Sequence, residues 1–264
     1  MAGIQWTEKT WNPIRGCTRI SPECENCYAE AIAARFSGPG QPFEGFARMT
    51  PSGPRWSGKV GVIDVKLTEP LDWKKPSLIF VNSMSDLFHE KLPEDDIRKI
   101  FEVMVRAHWH QFQVLTKRAD RLAELAPRLP WPPNLWIGVS VGRADYIGRI
   151  DHLRRVPAAI RFLSLEPVLG PLSNLSLEGI SWVIGGGESG RAARPCDLAW
   201  VRDIISQCRK AGIAIYVKQL GSRPTVNPDD AGPGDGELLR PLRDRKGGDA
   251  NEWPKDLRIR EFPW

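Results

Sequence analysis

The sequence predicts an α/β fold: a full or partial parallel (β/α) barrel with a loop-rich C-terminal tail. Three observations carry this. Short apolar runs alternate with amphipathic stretches of about 10 to 15 residues, the signature of a parallel sheet covered by helices. About seven such units can be counted along the chain. Each strand is followed at its C-terminal end by polar or glycine-rich residues, the rim at which α/β barrels place their chemistry. A length of 264 residues is ordinary for one such barrel, and 41% hydrophobic content allows a sizeable core. An open doubly wound sheet shares the same pattern.

The elements follow in order. A strand is expected over Trp11 to Arg15, and the spacing of Tyr28, Ala31, Ile32 and Phe36 predicts an amphipathic helix. Residues 37–59 are rich in Gly, Pro and Ser and read as a loop or a lid over the preceding segment. Val60 to Leu67 alternates like an edge strand. Strands follow at Leu78 to Asn82, Phe112 to Thr116, Leu135 to Val141, Ile160 to Leu165, Ile180 to Ile184 and Ile213 to Val217. Helices lie between them: Pro93 to Ala107, with Ile97, Ile100, Phe101, Met104 and Val105 at helical spacing, then Ala119 to Leu129, Tyr146 to Arg155 and Asp197 to Lys210. From Ser222 the chain turns polar and Gly/Pro-rich before aromatic residues return. This divides it into a barrel domain, 1–221, with an insertion near 37–76, and a loop with a docking tail, 222–264.

Three of the five cysteines stand on one strand-to-helix loop: Cys17, Cys24 and Cys27, spaced C-x6-C-x2-C. Gly16 gives the backbone freedom to turn before the first thiol. Cys27 opens the predicted helix, where the dipole favours thiolate, the metal-binding form. Three ligands are one short of a closed structural zinc site. A 4Fe–4S cluster on three cysteines keeps one iron open, whereas zinc would need a residue brought back by the fold, such as Cys196 or His89. Three unligated thiols are the plainest alternative.

The bulk properties bound the class. No apolar run is long enough to span a bilayer, and the N-terminal MAGIQWTEKT lacks the pattern of a signal peptide. Clustered, odd-numbered cysteines without an export signal point to a reducing cytoplasm. A net charge of +5 and a pI near 9.0 suit a nucleotide or nucleic-acid partner without requiring one. The eleven tryptophans are scattered, as core anchors are, and His108 and His110 read as surface or capping residues.

The remaining rim candidates follow the strands. Ser83, Asp86 and His89 come after the second, Lys117 and Arg118 after the third, and Ser140 ends the fourth. Asp86 with His89 suggests an acid/base or metal pair, and Lys117 with Arg118 a carboxylate or phosphate site. Glu166 is held extended by Pro167, and Lys218 ends the last strand. The run Gly185 to Gly190 would let a ligand approach the backbone, with Glu188 placed for an ammonium or a ribose hydroxyl; a tight turn explains the same glycines. Cys196 and Cys208 read as structural.

Several stretches together resemble a phage-associated three-cysteine protein family catalogued as a domain of unknown function. They are TWNPIRGC with the cysteine loop, FVNSMSDLFH, VLTKRADRL, LWIGVSV, FLSLEPVLGP, GGGESG and YVKQLG, and they cover nearly the whole chain. That family is similar to the radical S-adenosylmethionine (radical SAM) superfamily. The resemblance implies a 4Fe–4S cluster on Cys17, Cys24 and Cys27, S-adenosylmethionine on the open iron, and an external electron donor. On that reading the rim residues Ser83, Asp86, Ser140, Glu166, Gly186, Gly187 and Glu188 are expected to contact cofactor, and Lys117, Arg118 and Lys218 to face substrate. Two departures stand out. The usual loop is C-x3-C-x2-C with an aromatic residue before the third cysteine; here the first gap is six and Asn26 holds that place. The usual Gly-Gly-Glu follows the second strand; here it comes at Gly186 to Glu188. The reading that results is a radical SAM-type enzyme acting on a nucleotide or nucleic acid. Its rivals are a zinc- or cluster-stabilised nucleic-acid-binding protein without catalysis, and a zinc-dependent hydrolase using Asp86, His89 and Glu166.

Overall fold

The structure, a computed structural model, describes residues 4–226 and 242–264. The chain divides into two compact units, residues 1–139 with 152–159 and residues 140–151 with 160–264.

In the first unit the expected opening strand is split. β1 (Lys9–Trp11) and β2 (Ile14–Arg15) are separate because Pro13 lies between them and offers no N–H to a ladder. β1 joins the parallel sheet, whereas β2 pairs antiparallel with β5 (Gly61–Val62). Helix α1 (Tyr28–Arg35) follows the cysteine loop as expected. The Gly/Pro-rich segment after it contains a hairpin that its composition did not announce: β3 (Ala47–Thr50) and β4 (Gly53–Trp56) pair antiparallel around Pro51-Ser52. It is a packed element, since Ala47 closes with Ala33 and Ala34 of α1 into a small core flanked by Phe43 and Trp56. The edge strand expected to Leu67 stops at Val62, and the chain turns through α2 (Asp64–Leu67) and α3 (Glu69–Asp72).

The regular βα units then match their periodicity. β6 (Leu78–Val81), β7 (Gln111–Thr116) and β8 (Leu135–Ser140) run parallel with β1, and their interior residues are almost all buried. α4 (Glu94–Arg106) buries Ile97, Ile100, Phe101, Val103 and Met104; Val105 is exposed, one step round the helix from the apolar stripe. α5 (Ala119–Leu125) passes into a 3-10 turn at Ala126–Arg128, where Pro127 enters the sequence. α6 (Arg149–Arg154) is shorter than expected and starts after Gly148. Trp11 is fully buried against Phe112, and its indole N–H donates to the Lys66 carbonyl at 2.7 Å. His110 is a correction to the sequence reading. It is 1% exposed, and its Nε2 donates to the Pro70 carbonyl at 3.1 Å.

In the second unit β9 (Ile160–Leu165), β10 (Trp182–Gly186) and β12 (Ala214–Gln219) are parallel neighbours, with β10 in the middle. β11 (Cys196–Asp197) pairs with β13 (Pro224–Thr225). α7 (Leu198–Ala211) is capped at both ends: Asp197 accepts the Ala199 amide at 2.9 Å as N-cap, and Gly212 closes the helix with φ 67°. Cys196 and Cys208 are buried, and desolvation pushes each thiol up to about 12. The C-terminal residues bond to β12. Ile259 and Glu261 exchange backbone hydrogen bonds with Val217 and Ile215, and Phe262 stacks on the buried Trp182. The polar stretch 227–241, expected as a loop, lies outside the described residues.

Across the chain, seven strands form one parallel sheet in the order β1-β6-β7-β8-β9-β10-β12. β1 and β12 are its edges, so of the two expected forms the open, partial one is found. No helix is long and apolar enough to cross a membrane among the described residues.

The glycines that end β10 supply a test of this packing. A Cβ on Gly187 would lie 2.2 Å from the Leu220 carbonyl oxygen, whereas one on Gly185 meets nothing within 4 Å. Gly187→Ala is expected to cost about 1–3 kcal/mol or more and Gly185→Ala less than about 1 kcal/mol, read from urea denaturation midpoints.

Candidate functional site

The cysteine loop is built between β2 and α1 and fixed at both ends. Gly16 has φ 88°, and a Cβ there would sit 1.9 Å from the Lys59 carbonyl oxygen, so neither the turn nor the space admits a side chain. Its backbone bridges to Ser85 after β6. At the far end Cys27 is the N-cap residue of α1. Glu30, 1% exposed, ties the loop down from inside the helix. It pairs with the Arg19 guanidinium and accepts the Trp56 amide at 2.8 Å, so one carboxylate holds the loop, α1 and the β3–β4 hairpin together.

Beneath the loop lies the Arg118 guanidinium, 3% exposed, at the end of β7. Its Nε donates to Glu90 at 2.7 Å. One terminal nitrogen donates to Asp86 at 3.0 Å and approaches the Cys17 sulfur at 3.9 Å. The other donates to the Thr18 hydroxyl at 2.8 Å and the Thr18 carbonyl at 3.3 Å. These contacts match the five N–H donors an arginine possesses. Burial opposes its charge, but Asp86, Cys17 and Glu90 outweigh that and hold its pKa above the ordinary value. Asp86 is as fully used. One oxygen accepts the Phe88 amide and the Thr116 hydroxyl, and the other accepts the Lys117 amide and Arg118. The expected Asp86–His89 partnership does not form. His89 Nδ1 accepts the Lys91 amide at 3.1 Å, so the proton is on Nε2, which meets the Thr18 hydroxyl at 2.9 Å. Desolvation and the nearby Arg118 lower the His89 pKa, which keeps the ring neutral.

The three thiols are half-buried and unbridged. Desolvation pushes Cys17 up to about 12; Asp86, Cys27 and Cys24 add to this and Arg118 opposes it. Desolvation also raises Cys27, against the pull of the Glu30 amide, the Lys117 ammonium and the Ala29 amide. The helix N-terminus therefore acts on Cys27 in the direction the sequence suggested, but burial is the larger effect. Among the described residues, no three His, Cys, Asp or Glu side chains converge as ligands of a single metal ion. The three thiols lie on one short loop, and Cys27 and Cys24 both act electrostatically on Cys17.

The turn after β6 lies against this loop. Asn82 has φ 59°, an unusual value for a residue with a side chain, and its Nδ2 is buried without a hydrogen-bond partner. The Ser85 hydroxyl is also buried and unpartnered. Ser83 is held differently. Its hydroxyl bonds Asn12 at 3.1 Å, and its carbonyl accepts the Tyr28 hydroxyl at 2.6 Å.

In the second unit the predicted residues meet one another. Glu188 is 7% exposed and forms a bidentate pair with Arg194 at 2.6 and 2.9 Å, which occupies the carboxylate expected to hold an ammonium or ribose. Gly186 and Gly187 make room for Gln219 and Leu220 at the end of the neighbouring strand β12 rather than standing open. Glu166 accepts the Lys218 ammonium at 2.7 Å; the two residues follow or end strands on either side of β10, whose glycine end carries no side chain between them. Ser140 is 1% exposed, and its carbonyl accepts from Arg149 at 2.8 Å.

Sequence reasoning missed Thr18, Glu90, Glu30 and Arg194, which complete these networks. Thr18 adjoins a cysteine and Glu90 adjoins His89, but nothing local signals that Thr18 meets an arginine 100 positions away.

Residues 1–248 match the family described as a protein of unknown function, DUF5131, and the chain belongs to that family. No curated protein and no solved structure matches it.

Removing the Asp86 carboxylate strands a buried guanidinium, so Asp86→Ala should cost about 3–5 kcal/mol in a urea titration. Glu90→Ala should cost no more than about 1 kcal/mol, because that carboxylate is 56% exposed. An equal cost for the two would refute the ranking. His89 also predicts an acid limb. Its ordinary pKa is 6.5 and the folded state lowers it. Unfolding therefore takes up a proton below that pH, so the stability held above 6.5 declines as pH falls toward the folded value. His89→Gln should flatten that limb; an unchanged profile would assign it to other groups.

Proposed function

We propose that the chain is an iron–sulfur enzyme of the radical SAM type, with Cys17, Cys24 and Cys27 as the ligands of a 4Fe–4S cluster and S-adenosylmethionine as its second cofactor. The observation that carries this is the ligand count within the first unit. Three thiols share one loop, and the two buried imidazoles of that unit, His89 and His110, do not supply a fourth ligand. Both His89 nitrogens are engaged, and His110 precedes β7, at the opposite end of the strand from Arg118. A closed zinc site would need four ligands, whereas three thiols leave one iron of a cluster open. A cluster also spreads its thiolates over separate irons, so it does not require them to meet at one point. When bound and reduced, the cluster would supply the electron that cleaves S-adenosylmethionine.

The chain's own residues have definable parts in this reading. α1 presents its N-terminal amides to Cys27, and Glu30 and Arg19 keep the loop from opening. Asn82 and Ser85 offer buried donors without partners in the turn beside Gly16, which suits a ligand rich in acceptors. Lys117 keeps a cation near Cys27. The basic balance of the chain, +5, supports a nucleotide or nucleic acid as substrate. The zinc-hydrolase alternative is weakened by the same geometry, because Asp86 is taken by Arg118 and His89 by Thr18 and Lys91.

Anaerobic reconstitution with iron and sulfide is the test. The expected result is about four irons per chain, broad visible absorbance bleached by dithionite, and 5′-deoxyadenosine on adding S-adenosylmethionine. Alanine at any one of the three cysteines should abolish both the absorbance and the product. A colourless protein holding one zinc would refute the proposal.

A further inference from the structure

We infer that the outward face of α1, with the cations beside it, is a binding surface for single-stranded nucleic acid that leads toward the turn after β6. The inference rests on the nucleic-acid half of the reading above and deepens it; it asks nothing of the three thiols as ligands.

Three observations support it. First, α1 buries its small residues and exposes its large ones. The β3–β4 hairpin packs on Ala33 and Ala34, whereas Tyr28, Ile32 and Phe36, spaced i, i+4 and i+8 on one face, are 51%, 41% and 41% exposed. Second, the cations around this face are not spent on carboxylates. Residues 12–62 hold six Arg or Lys and four Glu. Glu23 and Glu30 are buried, and Glu30 takes Arg19. Arg15, Arg35, Arg48, Arg55 and Lys59 carry no ion pair among the described residues, so the surface of this segment keeps a positive excess. Third, rings hold three of these cations in place. Arg35 lies over Phe36 at 5.6 Å, Arg15 over Phe43 at 5.4 Å and Lys59 over Phe46 at 4.9 Å from the ring centroid. Phe43 continues the stripe, since its amide donates to the Phe36 carbonyl at 2.9 Å. At the other end the Tyr28 hydroxyl donates to the Ser83 carbonyl at 2.6 Å, which sets that ring beside the turn after β6. Exposed rings interleaved with cations suit unpaired bases, whose faces stack, and the phosphates that join them. The bases of a duplex are already stacked on one another and leave those rings without a partner. An anionic membrane would draw the same cations, but membrane binding scales with buried apolar area, and three side chains supply little of it.

The test is the fluorescence anisotropy of a labelled single strand of about 15 nucleotides, titrated with the full chain as isolated at rising salt. A duplex of the same sequence and phosphatidylserine-containing vesicles are titrated beside it. Phe36→Leu keeps an apolar side chain and loses the ring. Arg35→Ala removes one cation of the surface. Arg106→Ala, at the C-terminal end of α4, removes an exposed arginine outside it. All three side chains are exposed, so the variants are expected to fold, which circular dichroism checks. Phe36→Leu should weaken strand binding about fivefold or more. Arg35→Ala should weaken it several-fold and reduce the salt slope by about 0.7. Arg106→Ala should bind as the unchanged protein does, and the duplex should bind more weakly than the single strand. Strand binding that survives both Phe36→Leu and Arg35→Ala would overturn the surface and leave the nucleic-acid reading standing. A loss with Arg35→Ala but none with Phe36→Leu, or an equal loss with Arg106→Ala, would reduce the effect to diffuse charge and overturn the surface too. No strand binding at low salt, with or without binding to vesicles, would overturn both the surface and the nucleic-acid reading. Iron uptake is assayed separately: a protein that binds the strand but takes up no iron refutes the radical SAM reading alone.

Discussion

The buried Arg118 guanidinium is the interaction on which the first unit depends. A charge this deep is tolerated only when its donors are satisfied and an opposite charge is at hand. Asp86 supplies the charge and Thr18, Glu90 and the Cys17 sulfur take the other donors. The consequence is architectural. The end of β7, the turn after β6 and the cysteine loop after β2 cannot move independently, because each contributes a partner to the same planar group. Thr116 adds a further tie, accepting the Arg118 amide while its hydroxyl donates to Asp86.

Glu30 does the same from the other side of the loop. It is buried in α1 and gathers Arg19 and the Trp56 amide, which makes the β3–β4 hairpin part of the support for the thiols. The Gly/Pro-rich segment after α1 is thus a brace, packed on Ala33 and Ala34, where its composition suggested a lid. Its position is set by small residues: alanines on that face of α1 let the hairpin approach closely.

In the second unit, polar groups at the strand ends likewise turn to one another. Glu188 with Arg194 and Glu166 with Lys218 form pairs, and the glycines of β10 and the residues after it are spent on close approach to Gln219, Leu220 and Gly221. Gly247 extends this contact to the tail, where a Cβ would meet the Gly221 carbonyl at 2.3 Å. A glycine run after a strand has two meanings, ligand access or backbone packing, and they are the same in sequence. Only the neighbouring segment of the fold tells them apart.

The sequence by itself determined the alternating βα order, the helices α4 and α7 with their boundaries, and the clustering of three thiols at a helix start. These are local properties, set by periodicity, capping and the placement of glycine and proline, and they survive whatever the rest of the chain does. Pro13, which splits the first strand by removing an N–H from the ladder, is equally a local feature. What only the tertiary structure decided is which polar side chains are already spoken for. Lys117 and Arg118 are adjacent and look alike as a phosphate clamp, yet one is buried in a five-donor network and the other is half-buried near Cys27. Asp86 and His89 are three apart and look like a catalytic pair, yet both serve the loop at Thr18 and Arg118. A buried charge selects its partners by distance in space and by desolvation, and neither quantity is written in the spacing of residues along the chain.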